Sequence, residues 1–224
     1  MKKSFDRLAN SYWLLEVLAF GKRLEVVRSS GLKYAKNARR ALLIGDGDGR
    51  FAAQLLKVNA QLRIHSLDSS RAMLRTARRR IRRETPAAGC HYVPIQADAR
   101  RFAYAANSYD FIALNFVLDC FQPGAAKGLL QALSHSLEPR GVLFYCDFEM
   151  PQGPPHKRLA ARWVIRLLYC FFNLVTDIKT SALPELVWPR TLRLAERKTW
   201  LGGVLASEIR RRPAGASSPR KADL

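Results

Sequence analysis

Four carboxylates mark where this chain could do chemistry: Asp46 and Asp48 inside Gly45-Asp46-Gly47-Asp48-Gly49, then Asp68, then Asp98. The glycines allow a tight turn and a close backbone approach to a ligand, because no Cβ intervenes. The pattern is G-x-G-x-G, not the dinucleotide pattern G-x-G-x-x-G. It also puts two acids where a pyrophosphate would sit, which disfavours NAD, FAD and ATP by simple repulsion. A nucleoside that lacks phosphates, or carries positive charge, fits better. Asp68 is placed to accept both ribose hydroxyls of such a ligand. Asp98 can accept from an exocyclic amino group, with the Ala99 backbone N–H facing a ring nitrogen. Each acid also has a plain structural reading. Asp68, followed by Ser69 and Ser70, could cap a helix; Asp98 could pair with Arg100 or Arg101.

Stepping outward, the elements that hold these acids alternate strand and helix. Ala41-Leu42-Leu43-Ile44 is an apolar run that enters the glycine turn, and 51–58 reads as the helix behind it. A second strand over 62–67 ends at Asp68. A helix over 70–83 spaces Met73, Ala77 and Ile81 four apart, and seven arginines fill much of its remainder. After a loop at 85–89 come a third strand over 90–95, a fourth over 109–115, a helix over 124–137, a tight turn at Pro139-Arg140-Gly141 and a fifth strand over 142–148. Two β-like runs around Gly202-Gly203 predict a hairpin over 191–211. Helices are also predicted over 4–20, 22–28 and 158–175. The alternation argues for a parallel sheet covered on both faces.

Composition sets the wider bounds. With 224 residues, 48% of them hydrophobic, the chain can bury one large α/β core. The net charge of +20 suggests attraction to polyanions, whether nucleic acid or an anionic membrane surface, or simply a basic exterior. Cysteines at 90, 120, 146 and 170 show no CxxC spacing, so no zinc site or disulfide framework is expected. They read as buried free thiols in a reducing, cytoplasmic setting. The N-terminus lacks the apolar core of a signal peptide, and 167–175 is too short to span a bilayer.

Taken in order, these residues resemble the class I S-adenosylmethionine-dependent methyltransferases. LLIGDGDG is similar to the family's glycine motif, SLDSSRAML to its ribose motif, IQADARRF to its adenine motif, and YDFIALNFVLDCF and LEPRGVLFYCDFEMP to its fourth- and fifth-strand segments. The resemblance covers about 1–211. It implies a Rossmann-like, doubly wound, mainly parallel seven-stranded sheet with a C-terminal antiparallel hairpin in a three-layer αβα arrangement. It implies S-adenosylmethionine as cofactor, held by Gly45, Asp46, Gly47, Gly49, Asp68, Ser69, Met73, Asp98, Ala99, Asn115 and Tyr12, with no metal. It also implies a division into an N-terminal helical cap (1–40), a methyltransferase domain (41–211) with a substrate-side insertion (151–190), and a disordered tail (212–224). A narrower likeness, to the quinone-biosynthesis C-methyltransferase group, rests on FDRLANSYWLLEVLAFG and CDFEMP; it would have Phe5 and Tyr12 shield the site.

One departure stands out. The family carries an acidic residue two positions before the first glycine, to hold the cofactor's amino group; here that position is Leu43, and Asp46 is the candidate substitute. The chemistry asks mainly for alignment and exclusion of water, because the methyl donor is already activated. Asn115, Asp119, Asp147, Glu149 and His156 are the candidates for handling an acceptor proton. Trp163, Leu167, Tyr169, Phe171 and Phe172 could line an apolar pocket. The expected reaction is therefore methyl transfer to a small, apolar or aromatic acceptor, with the enzyme peripheral to the inner membrane. The alternatives are an RNA methyltransferase using the basic surface, or a binding protein on a degenerate methyltransferase fold.

Overall fold

The structure, a computed structural model, describes residues 22–151 and 186–214. The predicted helices over 4–20 and 158–175, with Tyr12, His156 and the aromatic residues at 163–172, lie outside that set. Seven strands form one sheet: β1 (Arg40–Ile44), β2 (Arg63–Asp68), β3 (Tyr92–Gln96), β4 (Tyr109–Asn115), β5 (Leu137–Phe148), β6 (Arg193–Trp200) and β7 (Leu205–Arg211). Their order is β3-β2-β1-β4-β5-β7-β6. The first five run parallel, and β7 is antiparallel to both its neighbours. The described helices are α1 (Arg23–Ser29), α2 (Arg50–Val58), α3 (Arg71–Glu84) and α4 (Pro123–Ser136).

Alternation along the central strands sorts the core into two layers. Leu43, Phe111, Ala113 and Phe144 face α1, α2 and α3, where they meet Val27, Phe51, Leu55, Leu56, Ala77 and Ile81. Leu42, Ile44, Ile112, Leu114 and Leu143 face α4 and its Leu129, Leu130 and Leu133. Residues 41–44 are buried on both faces, which is why that strand is an unbroken apolar run. α3 starts at a side-chain cap: Ser70 Oγ accepts the Met73 N–H at 3.2 Å.

Several details differ from the sequence reading. Pro86–His91 forms a 3₁₀ turn where a loop is expected, and Cys90, in that surface turn, is exposed instead of buried. Cys146 is buried, Cys120 half-buried. The expected turn at Pro139-Arg140-Gly141 lies inside β5. Tyr109 pairs with Leu137 but Phe111 with Val142, so residues 138–141 bulge out of the ladder, with Arg140 at φ 65°. Arg212, assigned by sequence to the tail, is 3% exposed and donates to Asn107 Oδ1 at 2.7 Å. α1 adds Leu24 and Val27 to the core beneath α2.

Candidate functional site

The glycine turn sits at the carboxyl end of β1, and each glycine answers a different constraint. Gly45 donates to Leu67 O at 2.9 Å and has φ 67°; a Cβ there would lie 2.6 Å from Val117 Cγ2. Gly49, at φ 78°, precedes α2, and a Cβ would lie 2.7 Å from Ala77 Cβ, so it lets α2 and α3 approach. Gly47 has φ 61° with nothing within 4 Å of a built Cβ. It is the glycine that borders open space.

The two acids of the turn have separate environments. Asp48 is buried and committed: Arg50 Nε donates to its Oδ1 at 3.1 Å and Arg80 Nη2 to its Oδ2 at 2.9 Å. Arg80 Nε also donates to the Asp48 carbonyl at 3.0 Å. The expectation that both acids repel a phosphate therefore reduces to Asp46 alone, because Asp48 is neutralised from α3. Asp46 Oδ2 accepts the Ala52 N–H at 3.2 Å, at the start of α2. Burial, then the Asp48 charge, pushes the Asp46 carboxyl up to about 7, against the pull of the Ala52 N–H and Arg28. The site is thus poised between protonated and charged near neutral pH.

Asp68 ends β2. Its Oδ1 accepts the Ser70 N–H at 2.8 Å and its carbonyl accepts the Ala97 N–H at 3.1 Å. The helix cap is Ser70, so Asp68 is not the capping residue. Ser69 beside it is exposed, whereas Met73 is 3% exposed and packs inward. Asp98, past β3, is gripped by Arg100: Nε donates to Oδ1 at 2.9 Å and the Arg100 N–H to Oδ1 at 2.9 Å. That pairing holds the Asp98 carboxyl down at about 2. The structural alternative for Asp98 is realised, although the pair lies on the surface, where such a bridge contributes only about 0–1 kcal/mol. Ala99 is buried, its carbonyl accepting from Tyr104 Oη at 2.9 Å. Asn115 ends β4, 7% exposed, with Cys146 Sγ donating to its Oδ1 at 3.3 Å. Neighbouring strand ends thus bring together Gly45, Asp46, Gly47, Asp68, Asp98 and Asn115; Gly49 serves helix packing, and Tyr12 lies outside the described residues.

Leu43 is 1% exposed among Phe51, Phe111 and Phe144. A carboxylate there would be buried in apolar surroundings, and the turn's available carboxylate stands three residues later, at Asp46.

Of the proton-handling candidates, two converge. Asp147 is 1% exposed; its Oδ1 accepts the Phe148 N–H at 2.9 Å, and its Oδ2 is buried without a hydrogen-bond partner. Burial raises the Asp147 carboxyl well above the usual range, and Asp119 adds to the effect. Burial likewise raises half-buried Asp119, whose Oδ1 accepts from Cys120 Sγ at 3.4 Å. Glu149 is instead paired with Arg197 of β6. Sequence reasoning missed Phe116, which follows β4 at φ 53°. Its N–H donates to Cys146 O at 2.8 Å, its ring lies 5.3 Å from Phe148, and the Arg28 guanidinium sits 4.9 Å over its face. A left-handed Phe is sterically costly and has no sequence signal.

The residues fit S-adenosylmethionine: open space beside Gly47, a titrating carboxylate at Asp46 for a cationic group, and Asp68 at the strand end for ribose. Among the described residues no His, Cys, Asp and Glu cluster could hold a metal ion, and no helix is long and apolar enough to cross a membrane.

Residues 41–141 match the family model of a methyltransferase domain. No curated protein matches the chain in sequence. Among solved structures, an O-methyltransferase family protein from Burkholderia thailandensis is 19% identical, with TM-score 0.61 over 94% of this chain and 63% of its own. N-methyltransferase NodS from Bradyrhizobium japonicum, solved with S-adenosylhomocysteine, is 17% identical, with TM-score 0.56 over 85% of this chain and 88% of its own. A candidate exported protein from Bordetella parapertussis is 16% identical, with TM-score 0.66 over 88% of this chain and 69% of its own. These likenesses concern the fold.

Proposed function

We propose that this chain is a class I S-adenosylmethionine-dependent methyltransferase that transfers the methyl group to a small apolar or aromatic acceptor, a reading supported by the methyltransferase-domain match over residues 41–141. The observation that carries this reading is the turn itself: its Gly47 borders open space, Asp46 is the carboxylate left without a counter-ion pair, and Asp68 ends the neighbouring strand. The cofactor supplies an electrophilic methyl group on a positively charged sulfur. What remains for the protein is to hold, orient and keep dry. Asp68 accepts the ribose hydroxyls. Asp98 turns from Arg100 to an amino group, and Asn115 faces the amino-acid portion. Asp46 supplies the negative charge that Leu43 does not. Phe116 and Phe148 present an apolar wall at the ends of β4 and β5, which suits an apolar acceptor.

Asp119 is the group for an acceptor hydroxyl to pass its proton to. It is the half-buried member of the pair, and burial raises its basicity. With the cofactor bound, an acceptor hydroxyl that takes up the methyl group would release its proton to the Asp119 carboxylate.

Calorimetric titration with S-adenosylmethionine and S-adenosylhomocysteine tests the site. Wild type is expected to bind both, and Asp68→Ala several-fold more weakly. Equal binding by the variant would overturn the assignment of Asp68, and no binding by wild type would favour a non-catalytic role on the same fold. The exposed arginines of α3 (71, 75, 78, 79, 82 and 83) favour the RNA alternative; a salt-sensitive RNA complex that supports methyl incorporation would replace the small-acceptor reading.

A further inference from the structure

We propose that the end of the sheet opposite the glycine turn holds a second binding site, for a small ligand bearing a multiply charged phosphate. A cavity of about 510 Å³ opens there, lined by Arg140, Arg193, Arg211 and Arg212 together with apolar residues and no carboxylate. It lies at the start of β5 and the end of β7. Arg211 is registered against Val142 and Phe148 against Leu205, so the strand rise from position 142 to position 148 puts the cavity roughly 20 Å from the carboxyl ends of the strands.

The arginines are assembled at a cost. Arg193 and Arg211 are directly opposite each other on β6 and β7, and like charges in that position destabilise a sheet. Arg140 is held at φ 65°, a left-handed conformation disfavoured for a side-chain-bearing residue. It is tied there by two backbone bonds: its N–H donates to Arg212 O at 2.9 Å, and the Arg212 N–H donates to Gly141 O at 3.2 Å. The Arg212 guanidinium anchors the floor, donating to Asn107 Oδ1 at 2.7 Å and to His135 O at 3.3 Å.

Counter-charge is spent elsewhere. Glu138 pairs with Arg39 and Arg40, Glu196 with Lys33 and Lys198, and Glu208 with Arg197 and Arg210. Among the described residues no carboxylate pairs with Arg140, Arg193 or Arg211. Converging guanidinium groups match phosphate oxygens in geometry as well as charge. The cavity is an open basin of small-ligand size, with Arg140, Arg193 and Arg211 exposed on its rim. The same chemistry is offered by a free phosphate compound and by a phosphate headgroup of a lipid.

The test is titration of the full chain with pyrophosphate at constant ionic strength, alongside flotation with phosphatidylcholine vesicles with and without phosphatidic acid. Pyrophosphate is expected to raise the melting temperature by several degrees more than sodium chloride does. An Arg193→Ser/Arg211→Ser variant should bind about tenfold more weakly while its S-adenosylmethionine binding is unchanged. Binding only to phosphatidic acid vesicles, lost in the variant, assigns the site to a headgroup. A pyrophosphate response no larger than that to chloride together with no vesicle binding, or either response retained by the variant, overturns the proposal. Removing the like-charge pair relieves repulsion, so the variant is expected to fold at least as stably as wild type, which separates a lost site from a lost fold. The outcome is independent of whether the glycine turn binds its cofactor.

Discussion

The two ends of the sheet are charged in opposite senses and keep that charge by different means. At the carboxyl ends of the strands lie Asp46, Asp68, Asp98, Asp119 and Asp147; at the other end lie Arg140, Arg193, Arg211 and Arg212. Three of these acids are managed by titration: burial pushes Asp46, Asp119 and Asp147 up, and a proton can take the place of a counter-ion. Arginine has no such escape, since it stays protonated at any relevant pH. The basic end therefore holds its charge by geometry, with Arg212 bound to backbone carbonyls and its neighbours facing an open cavity. One end responds to pH, the other to salt and anions.

The contrast can be broken most severely through packing at the acidic end. Gly49→Ala places a Cβ 2.7 Å from Ala77 Cβ at φ 78°, combining overpacking with a disfavoured backbone, and is expected to cost about 3 kcal/mol in urea denaturation. Gly47→Ala, at a similar φ but with nothing nearby, should cost only about 1 kcal/mol; equal losses would refute the separate roles given to these glycines. Arg212→Ala at the basic end strips Asn107 Oδ1 of its donor and takes one of two donors from His135 O, which keeps the Asn107 N–H, and should cost about 2–3 kcal/mol.

Affinity for S-adenosylmethionine should rise as pH increases from 6 to 8, by up to about tenfold, because a bound cation favours the charged form of Asp46. Asp46→Asn should bind weakly with a flat profile; an unchanged slope would show that another group titrates. The same carboxyl gives stability its own pH dependence. Its folded value, about 7, lies above the ordinary 3.8, so the native state binds the proton more tightly than the unfolded chain. Stability therefore falls as pH rises from about 4 to about 7, and Asp46→Asn should remove that part of the slope in thermal melts. Asp98, held at about 2 by Arg100, works in the opposite direction: its contribution is present above about 4 and disappears as pH falls towards 2. The smallest effect belongs to Arg193→Ser, expected to stabilise by about 0.5 kcal/mol at low salt and by nothing measurable at high salt; a loss of stability at low salt would contradict the repulsion.

What was legible in the sequence is what short-range pattern dictates. The run at 41–44, the glycines and the fourth strand at 109–115 stand where their periodicity puts them. Asp98 also showed its rival, because Arg100 is only two residues away. The rest depends on distant contacts. Nothing near Asp48 announces Arg80, an ion-pair partner from the far end of α3. The bulge at 138–141 looked like a turn because Pro-Arg-Gly is turn chemistry whether or not a strand continues through it. The pairing of Asp119 with Asp147 depends on the crossover that sets β4 beside β5. Phe116 adopts a backbone conformation that its side chain disfavours, so only tertiary packing could have revealed it.

The position of β7 also bears on how the molecule is made. It follows β6 in the chain yet lies between β5 and β6. While the polypeptide emerges from the ribosome, β6 has no strand in the sheet to join until β7 has paired with β5. For that interval β5 presents an open edge, and the apolar face of Phe144, Cys146 and Phe148 lacks its later neighbours Leu205 and Ile209. Completion of the sheet thus waits for β7, and a chain interrupted before Leu205 would leave the ribosome with an edge ready to aggregate.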